Sequence, residues 1–195
     1  RLELLVVDSK TRWAMIRRQR QNPALPTPEV LIRNVAAEDL PAIKDIYNYF
    51  IRNTVITFDD APLKLDYWQE KYDMAQKFDL PFLVMVRGFD VLGFALVSPW
   101  RQRAGYLKVV ENSIYLSAPA TGKGLGTKLF TALLERCRAA GIKEVIAVIA
   151  DRGAHASIAL HEKFGFVQQG HLANVAIRFG KPIGSYLLSL KLPKS

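Results

Sequence analysis

The sequence predicts a mixed α/β domain of the α+β kind, with a mostly antiparallel sheet of six or seven strands flanked by about four helices. Three observations carry this. Short apolar runs of strand length outnumber the stretches with helical spacing. Two of those runs, 82–87 and 91–98, are separated only by Gly88-Phe89-Asp90, a hairpin signal foreign to a doubly wound parallel sheet. A glycine-rich turn at 122–126 then joins a strand directly to a helix.

Residues 1–29 read as an N-terminal extension and linker, and 30–195 as the domain. The extension closes on Asn22-Pro23-Ala24-Leu25-Pro26-Thr27-Pro28, where three prolines favour extended chain over helix. Val30–Val35 reads as a strand. Glu38–Arg52 reads as a helix with Leu40, Ile43, Ile46 and Tyr47 on one face, and Leu63–Phe78 as a second helix with Leu65, Trp68 and Tyr72 at helical spacing. The hairpin follows, then a strand at Val109–Ala118. Gly124–Ala140 is a helix stopped by Gly141, placed where a left-handed residue ends a helix. Glu144–Ala150 is a buried strand, His155–Phe164 a helix ended by Gly165, and Phe166–His171 and Tyr186–Leu192 are closing strands.

Composition narrows the function classes. A chain of 195 residues suits one domain with a sizeable core. No apolar run approaches the roughly 20 residues of a membrane span, so a membrane partner is not expected. Cys137 is the only cysteine, which excludes an intrachain disulfide and fits a reducing, cytoplasmic setting; mid-helix, it reads as a small buried hydrophobe. The net charge of +9 has no basic stripe interleaved with aromatics, so no nucleic-acid partner is expected, and a diffuse positive field suits a polyanionic cofactor. His155, His161, His171 and Cys137 lack metal-ligand spacing, so no metal is expected.

The chemistry concentrates at Thr121-Gly122-Lys123-Gly124-Leu125-Gly126-Thr127. Alternating glycines strip side chains from the turn, so backbone N–H groups can approach a ligand. The helix that follows adds its positive end, which makes the loop a pyrophosphate site. Lys123 precedes a glycine, not a hydroxyl residue, which excludes the Walker pattern; Thr127 stands where a dinucleotide loop needs its third glycine.

Strand, glycine loop and helix in this order resemble the acetyl-CoA loop of the GNAT acetyltransferases. Leu31–Leu192 is similar to the branch that acetylates phosphinothricin and methionine sulfoximine or sulfone. The matching segments are Asp45-Ile46-Tyr47-Asn48, Thr57-Phe58, Pro99-Trp100-Arg101, Gly105-Tyr106, Val110-Glu111-Asn112-Ser113-Ile114-Tyr115 and Ala156 to Phe166. The resemblance implies an acyl-CoA N-acyltransferase with acetyl-CoA as cosubstrate, a small amino-acid-like amine as acceptor, and a homodimer.

Residue by residue, the resemblance implies that Gly122, Lys123, Gly124, Leu125, Gly126 and Thr127 hold the pyrophosphate through the backbone. Ile114, Tyr115 and Leu116 would pair with the pantetheine arm, the Leu116 N–H meeting the thioester carbonyl. Glu111 matches the general base. His161 stands where many members place a tyrosine that protonates the leaving thiolate; a helix histidine packed beside the cofactor is the other reading. Phe58, Arg101 and Tyr106 fall on the acceptor side, where an arginine would fork onto a carboxylate or phosphinate.

The chain departs from the pattern at Thr121, Asn112, Ala154, Pro182 and Gly184. These changes keep open a protein that binds acyl-CoA with little turnover, and an acetyltransferase for a different amine. Because residues 1–28 contribute nothing to the core pattern, their deletion is expected to leave melting temperature and turnover unchanged, as thermal denaturation and a thiol-release assay would show.

Overall fold

The computed structural model describes Ala14 and residues 28–193 other than 102 and 107, so most of the predicted extension lies outside the described residues. Among the described residues from 28 on, seven strands and four helices follow in order: β1 (Val30–Asn34), α1 (Leu40–Asn53), α2 (Leu65–Phe78), β2 (Phe82–Arg87), β3 (Asp90–Pro99), β4 (Val109–Leu116), α3 (Leu125–Ala139), β5 (Glu144–Ala150), α4 (His155–Lys163), β6 (Val167–Arg178) and β7 (Lys181–Lys191). They form one sheet in the order β1-β2-β3-β4-β5-β7-β6.

The unbroken apolar run of β2 has a simple cause: both of its faces are covered. Phe82, Val84 and Val86 pack with α1 and α2 residues such as Ile43 and Trp68, while Leu83 and Met85 pack with Leu129, Phe130 and Leu133 of α3. β3 repeats the division, with Phe94 and Leu96 on the first side and Ala95 and Val97 on the second. Cys137 lies fully buried in the α3 layer, and burial pushes its thiol up to about 12, which suits an inert packing residue.

Local chemistry explains where the elements depart from the sequence reading. Asp39, buried, accepts both guanidinium nitrogens of Arg33 at 2.6 and 2.9 Å and the Ala36 N–H at 2.8 Å. Residues Ala37–Asp39 wind into a 3-10 turn, and α1 starts at Leu40 instead of Glu38. Gly124 takes a left-handed conformation and caps α3 from outside, so that helix starts at Leu125. The predicted strand to Ala118 stops at Leu116, because Ala118–Ala120 turn as a 3-10 helix. The last two strands are longer than Phe166–His171 and Tyr186–Leu192, and join through a turn at Phe179 and Gly180, both with positive φ. Pro182 is tolerated because β7 there runs past β5, whose pairing stops at Ser185.

Two latches hold the loop between α1 and α2. The Asn48 amide, 3% exposed, donates to the Leu63 carbonyl at 2.9 Å and accepts the Leu63 N–H at 2.8 Å. From the far hairpin, buried Arg178 donates to the Ile51 carbonyl in the last turn of α1, where the helix dipole favours a cation. Asn48→Ala is expected to lower unfolding free energy by on the order of 1–3 kcal/mol, the cost of stripping buried hydrogen-bonding groups of a partner. Urea denaturation measures this directly; an unchanged midpoint would show that Asn48 does not hold the loop.

Candidate active site

The site begins with a gap in the sheet. β4 pairs with β3 along Val110–Leu116, but with β5 only at Val109, Val110 and Glu111, in parallel. Beyond Glu111 the two strands part. The Trp100 N–H donates to the Val109 carbonyl at 3.1 Å, and the Ser117 N–H donates to the Leu92 carbonyl at 2.8 Å. Peptide groups alternate between the two edges of a strand, so the odd-numbered residues of β4 face β3. Asn112, Ile114 and Leu116 therefore turn their N–H and C=O groups into the gap, where β5 no longer meets them. The result is a short sheet edge in the middle of a seven-stranded sheet, able to take one more extended chain.

Gly93 sets the outer end of this edge. A Cβ there would stand 2.5 Å from Leu116 Cδ2 and 2.7 Å from the Tyr115 carbonyl oxygen, so β3 and β4 can close at this point only around glycine. Next to Leu116 lies the glycine loop. Gly122 and Gly124 both have φ of +72°, and no heavy atom lies within 4 Å of a Cβ built on either. Gly126 rests near Leu116 and Leu160. In the first turn of α3 the N–H groups of Leu125, Gly126 and Thr127 lack helical acceptors, as at any helix start. Lys123 is exposed and its Nζ donates back to the Pro119 carbonyl at 2.9 Å. The open edge thus leads straight to an anion-binding helix end.

A cavity of about 180 Å³ occupies the gap and reaches through the sheet. Tyr47, Asp59, Glu111 and Tyr115 line it from the α1–α2 side, and Asn112, Ser157 and His161 from the α3–α4 side. Burial raises the Glu111 carboxyl above the ordinary glutamate value, while the positive charges of Lys71 and Arg101 pull it part of the way back. Among the described residues no hydrogen bond engages that carboxyl, so it is open to take a proton.

His161 is 2% exposed, with the rings of Phe130 and Phe166 edge-on at 4.7 and 4.8 Å. Its Nδ1 lies 2.7 Å from the Ser157 carbonyl, which can only accept, so Nδ1 carries the proton. Nε2, 2.9 Å from Asn112 Nδ2, then accepts from that amide. Burial pushes the imidazole pKa down, the Ser157 bond opposing it, and the ring is neutral near pH 7.

The cavity gathers Phe58, Glu111, Ile114, Tyr115 and His161 of the predicted site; Leu116 and the loop adjoin it along the open edge. Arg101 and Tyr106 do not line it. Both are exposed on the β3–β4 connection, with the Arg101 guanidinium stacked over the Trp100 ring at 4.4 Å. Sequence reasoning gave no site role to Tyr47, Thr57 and Ser157, although they fall in the matching segments, and passed over Asp59. Tyr47 shared the periodicity of a core face, and Asp59 sat in an unpatterned loop, so neither carried a local signal of function.

An open sheet edge leading to a glycine loop and the start of α3, with a buried carboxyl beside it, fits an acyl-CoA-dependent N-acyltransferase. Residues 43–166 match the acetyltransferase (GNAT) family, and the chain belongs to that family. It is 36% identical over 162 residues to the L-methionine sulfoximine/L-methionine sulfone acetyltransferase of Pseudomonas aeruginosa, covering 83% of this chain and 94% of that one. Phosphinothricin N-acetyltransferase of Alcaligenes faecalis is 34% identical over 161 residues, covering 83% and 82%. Among solved structures, a GNAT superfamily phosphinothricin acetyltransferase of Sinorhizobium meliloti in complex with acetyl-CoA superposes with a TM-score of 0.78 at 34% identity, covering 84% of this chain and 88% of that one. The chain is an N-acetyltransferase, and acetyl-CoA is its cosubstrate. No helix among the described residues is long and apolar enough to cross a membrane, and no metal-binding cluster occurs among them.

Gly124→Asp is expected to abolish acetyl-CoA binding by setting a carboxylate against the pyrophosphate. Gly124→Asn separates charge from backbone strain, because asparagine tolerates the left-handed conformation. It should retain measurable affinity by calorimetry; equal binding by both variants would remove the loop from the cofactor site.

Proposed function

We propose that this enzyme acetylates the primary amine of a small amino-acid-like acceptor, of the phosphinothricin or methionine sulfoximine kind, with Glu111 as general base. The observation that carries the proposal is the placement of an unshared, burial-raised carboxyl at the point where β4 and β5 part. Ile114, Tyr115 and Leu116 would receive the pantetheine arm as an added strand, and the Leu116 N–H, on the open edge, would stabilise the thioester oxyanion. Gly122–Thr127 would hold the pyrophosphate. Glu111 takes a proton from the acceptor ammonium, the amine attacks the thioester carbonyl, the C–S bond breaks, and the second proton on the attacking nitrogen passes to the departing coenzyme A thiolate, leaving the amide and the thiol. Phe58 walls the acceptor end, and Arg101 with Tyr106 would meet its anionic group at the rim.

Of the two readings of His161, packing beside the cofactor is the one its surroundings support. A neutral imidazole with Nδ1–H given to Ser157 and Nε2 to Asn112 has no proton to spare for a thiolate. Exposed Leu172, Val175, Ile177 and Phe179 give the edge strand β6 and its turn an apolar surface suited to a second copy of the chain, which supports a homodimer. A lone buried cysteine and acetyl-CoA as cosubstrate support work in the cytoplasm.

The test is a thiol-release assay with acetyl-CoA against amino acids, methionine sulfone, methionine sulfoximine and phosphinothricin. Glu111→Gln is expected to lower kcat by roughly 10²–10⁴-fold, the range for loss of a general base, with acetyl-CoA affinity intact. The base works ionised, and its pKa is raised. The acid limb of kcat/KM should therefore lie above the ordinary glutamate value of about 4.3 and disappear in Glu111→Gln. A wild-type kcat in that variant would assign the proton to another acceptor.

A further inference from the structure

The cavity is furnished for a cation. Among the described residues that line it there is no lysine or arginine, and its one histidine is neutral. Its polar lining is instead rich in oxygen acceptors, and it includes two carboxyls, Glu111 and Asp59. Asp59 comes from the α1–α2 loop. Tyr47 Oη donates to its Oδ2 at 2.5 Å, which fixes the group, and Oδ1 has no partner among the described residues. Tyr47 is held in turn by the edges of the Tyr115 and Trp68 rings, at 4.9 and 5.3 Å.

Two further oxygens on nearly inaccessible residues stand unpaired in the same lining: Thr57 Oγ1, on a residue 1% exposed, and Asn112 Oδ1, on a residue 7% exposed. The Asn112 amide cannot turn to relieve this, because its Nδ2 is committed to the lone pair of His161 Nε2. Buried polar atoms left without partners are costly, and a donor entering the cavity would satisfy these two.

An alkylammonium suits this lining: it brings one positive charge and three N–H donors to a wall that carries two carboxyls and, elsewhere in the same cavity, two unpaired oxygens. A carboxylate or phosphinate, with acceptors only, would meet repulsion. The cationic side chains near Glu111, Lys71 and Arg101, lie outside the lining.

We infer that Asp59 binds the acceptor's ammonium group beside Glu111 through a charge-assisted hydrogen bond, with the acceptor's anionic end turned outward to Arg101 and Lys71. Asp59 binds and Glu111 takes the proton, so the two carboxyls divide recognition from chemistry. Tyr47 is a positioning residue that aims Asp59. The inference rests on Glu111 being the base, and the experiment separates the two.

With L-methionine sulfone as acceptor, Asp59→Asn is expected to raise KM by about 10–150-fold, the worth of one charge-assisted hydrogen bond, with kcat changed by less than about 3-fold and acetyl-CoA affinity retained. Tyr47→Phe should raise KM by a smaller factor in the same direction. Ligand-observed NMR with n-propylammonium, an amine with no carboxylate, should show binding to the wild-type enzyme loaded with coenzyme A and none to Asp59→Asn. An unchanged KM, a loss confined to kcat, or equal propylammonium binding overturns the assignment. If Asp59→Asn also loses acetyl-CoA, the loop has collapsed and Tyr47→Phe decides: unchanged KM there overturns it. A raised KM in Asp59→Asn beside a wild-type kcat in Glu111→Gln would keep the ammonium site and remove the base. If methionine sulfone is not turned over by the wild type, the acceptor class fails and the propylammonium arm still decides Asp59.

Discussion

Three residues of parallel pairing between β4 and β5 are the hinge on which the rest of this molecule depends. Each strand is fastened on its other side over seven residue pairs, β4 to β3 and β5 to β7. Neither can swing across to close the gap without giving up that pairing. The sheet is therefore two blades joined at one end, and the backbone groups of β4 that face the opening have no strand partner there. A folded protein with a full core thus keeps an open strand edge at its centre, with the Glu111 carboxyl beside it.

The surroundings of the gap differ on its two faces. On the α3–α4 side the lining is fixed by commitment: Ser157 holds His161, His161 holds Asn112, and the phenylalanines close around the ring. On the α1–α2 side the lining is fixed by a loop that Asn48 pins at Leu63 and Arg178 pins at Ile51. The first face supplies a rigid, uncharged wall, and the second supplies the carboxyls. Burial on that second face raises the Glu111 pKa, against the pull of Lys71 and Arg101.

Much of this was legible in the sequence, and the misses have physical causes. β2 and β3 stood out because both faces are buried, and the glycine loop because its spacing has few other uses. The gap was invisible to periodicity: Val109–Ala118 reads as an ordinary strand, and only its register shows that β5 leaves it after Glu111. Asp59 reaches the site from a loop 52 positions away from Glu111, with nothing in its neighbours to mark it. The final hairpin was underestimated: 172–185 was assigned no strand, although β6 and β7 run through it. Gly184, named only as a departure from the family pattern, has a physical reason for being glycine. A Cβ there would collide with the Asp151 carboxylate and the Leu172 carbonyl, and its N–H is the donor that Asp151 Oδ1 accepts at 2.9 Å. Asp151 also takes His171 Nε2 at 2.9 Å and is held below the usual carboxylate range by these bonds.

Arg178 gives the far edge of the sheet a stake in the acceptor wall. The residue closes β6, yet its guanidinium is buried against the last turn of α1, at the root of the loop that carries Thr57, Phe58 and Asp59. A buried cation held by backbone carbonyls cannot withdraw without leaving its charge unsolvated. The hairpin and the cavity wall are consequently joined: a load placed on the outer strand would reach the loop that carries Thr57, Phe58 and Asp59, although that strand lines no part of the cavity.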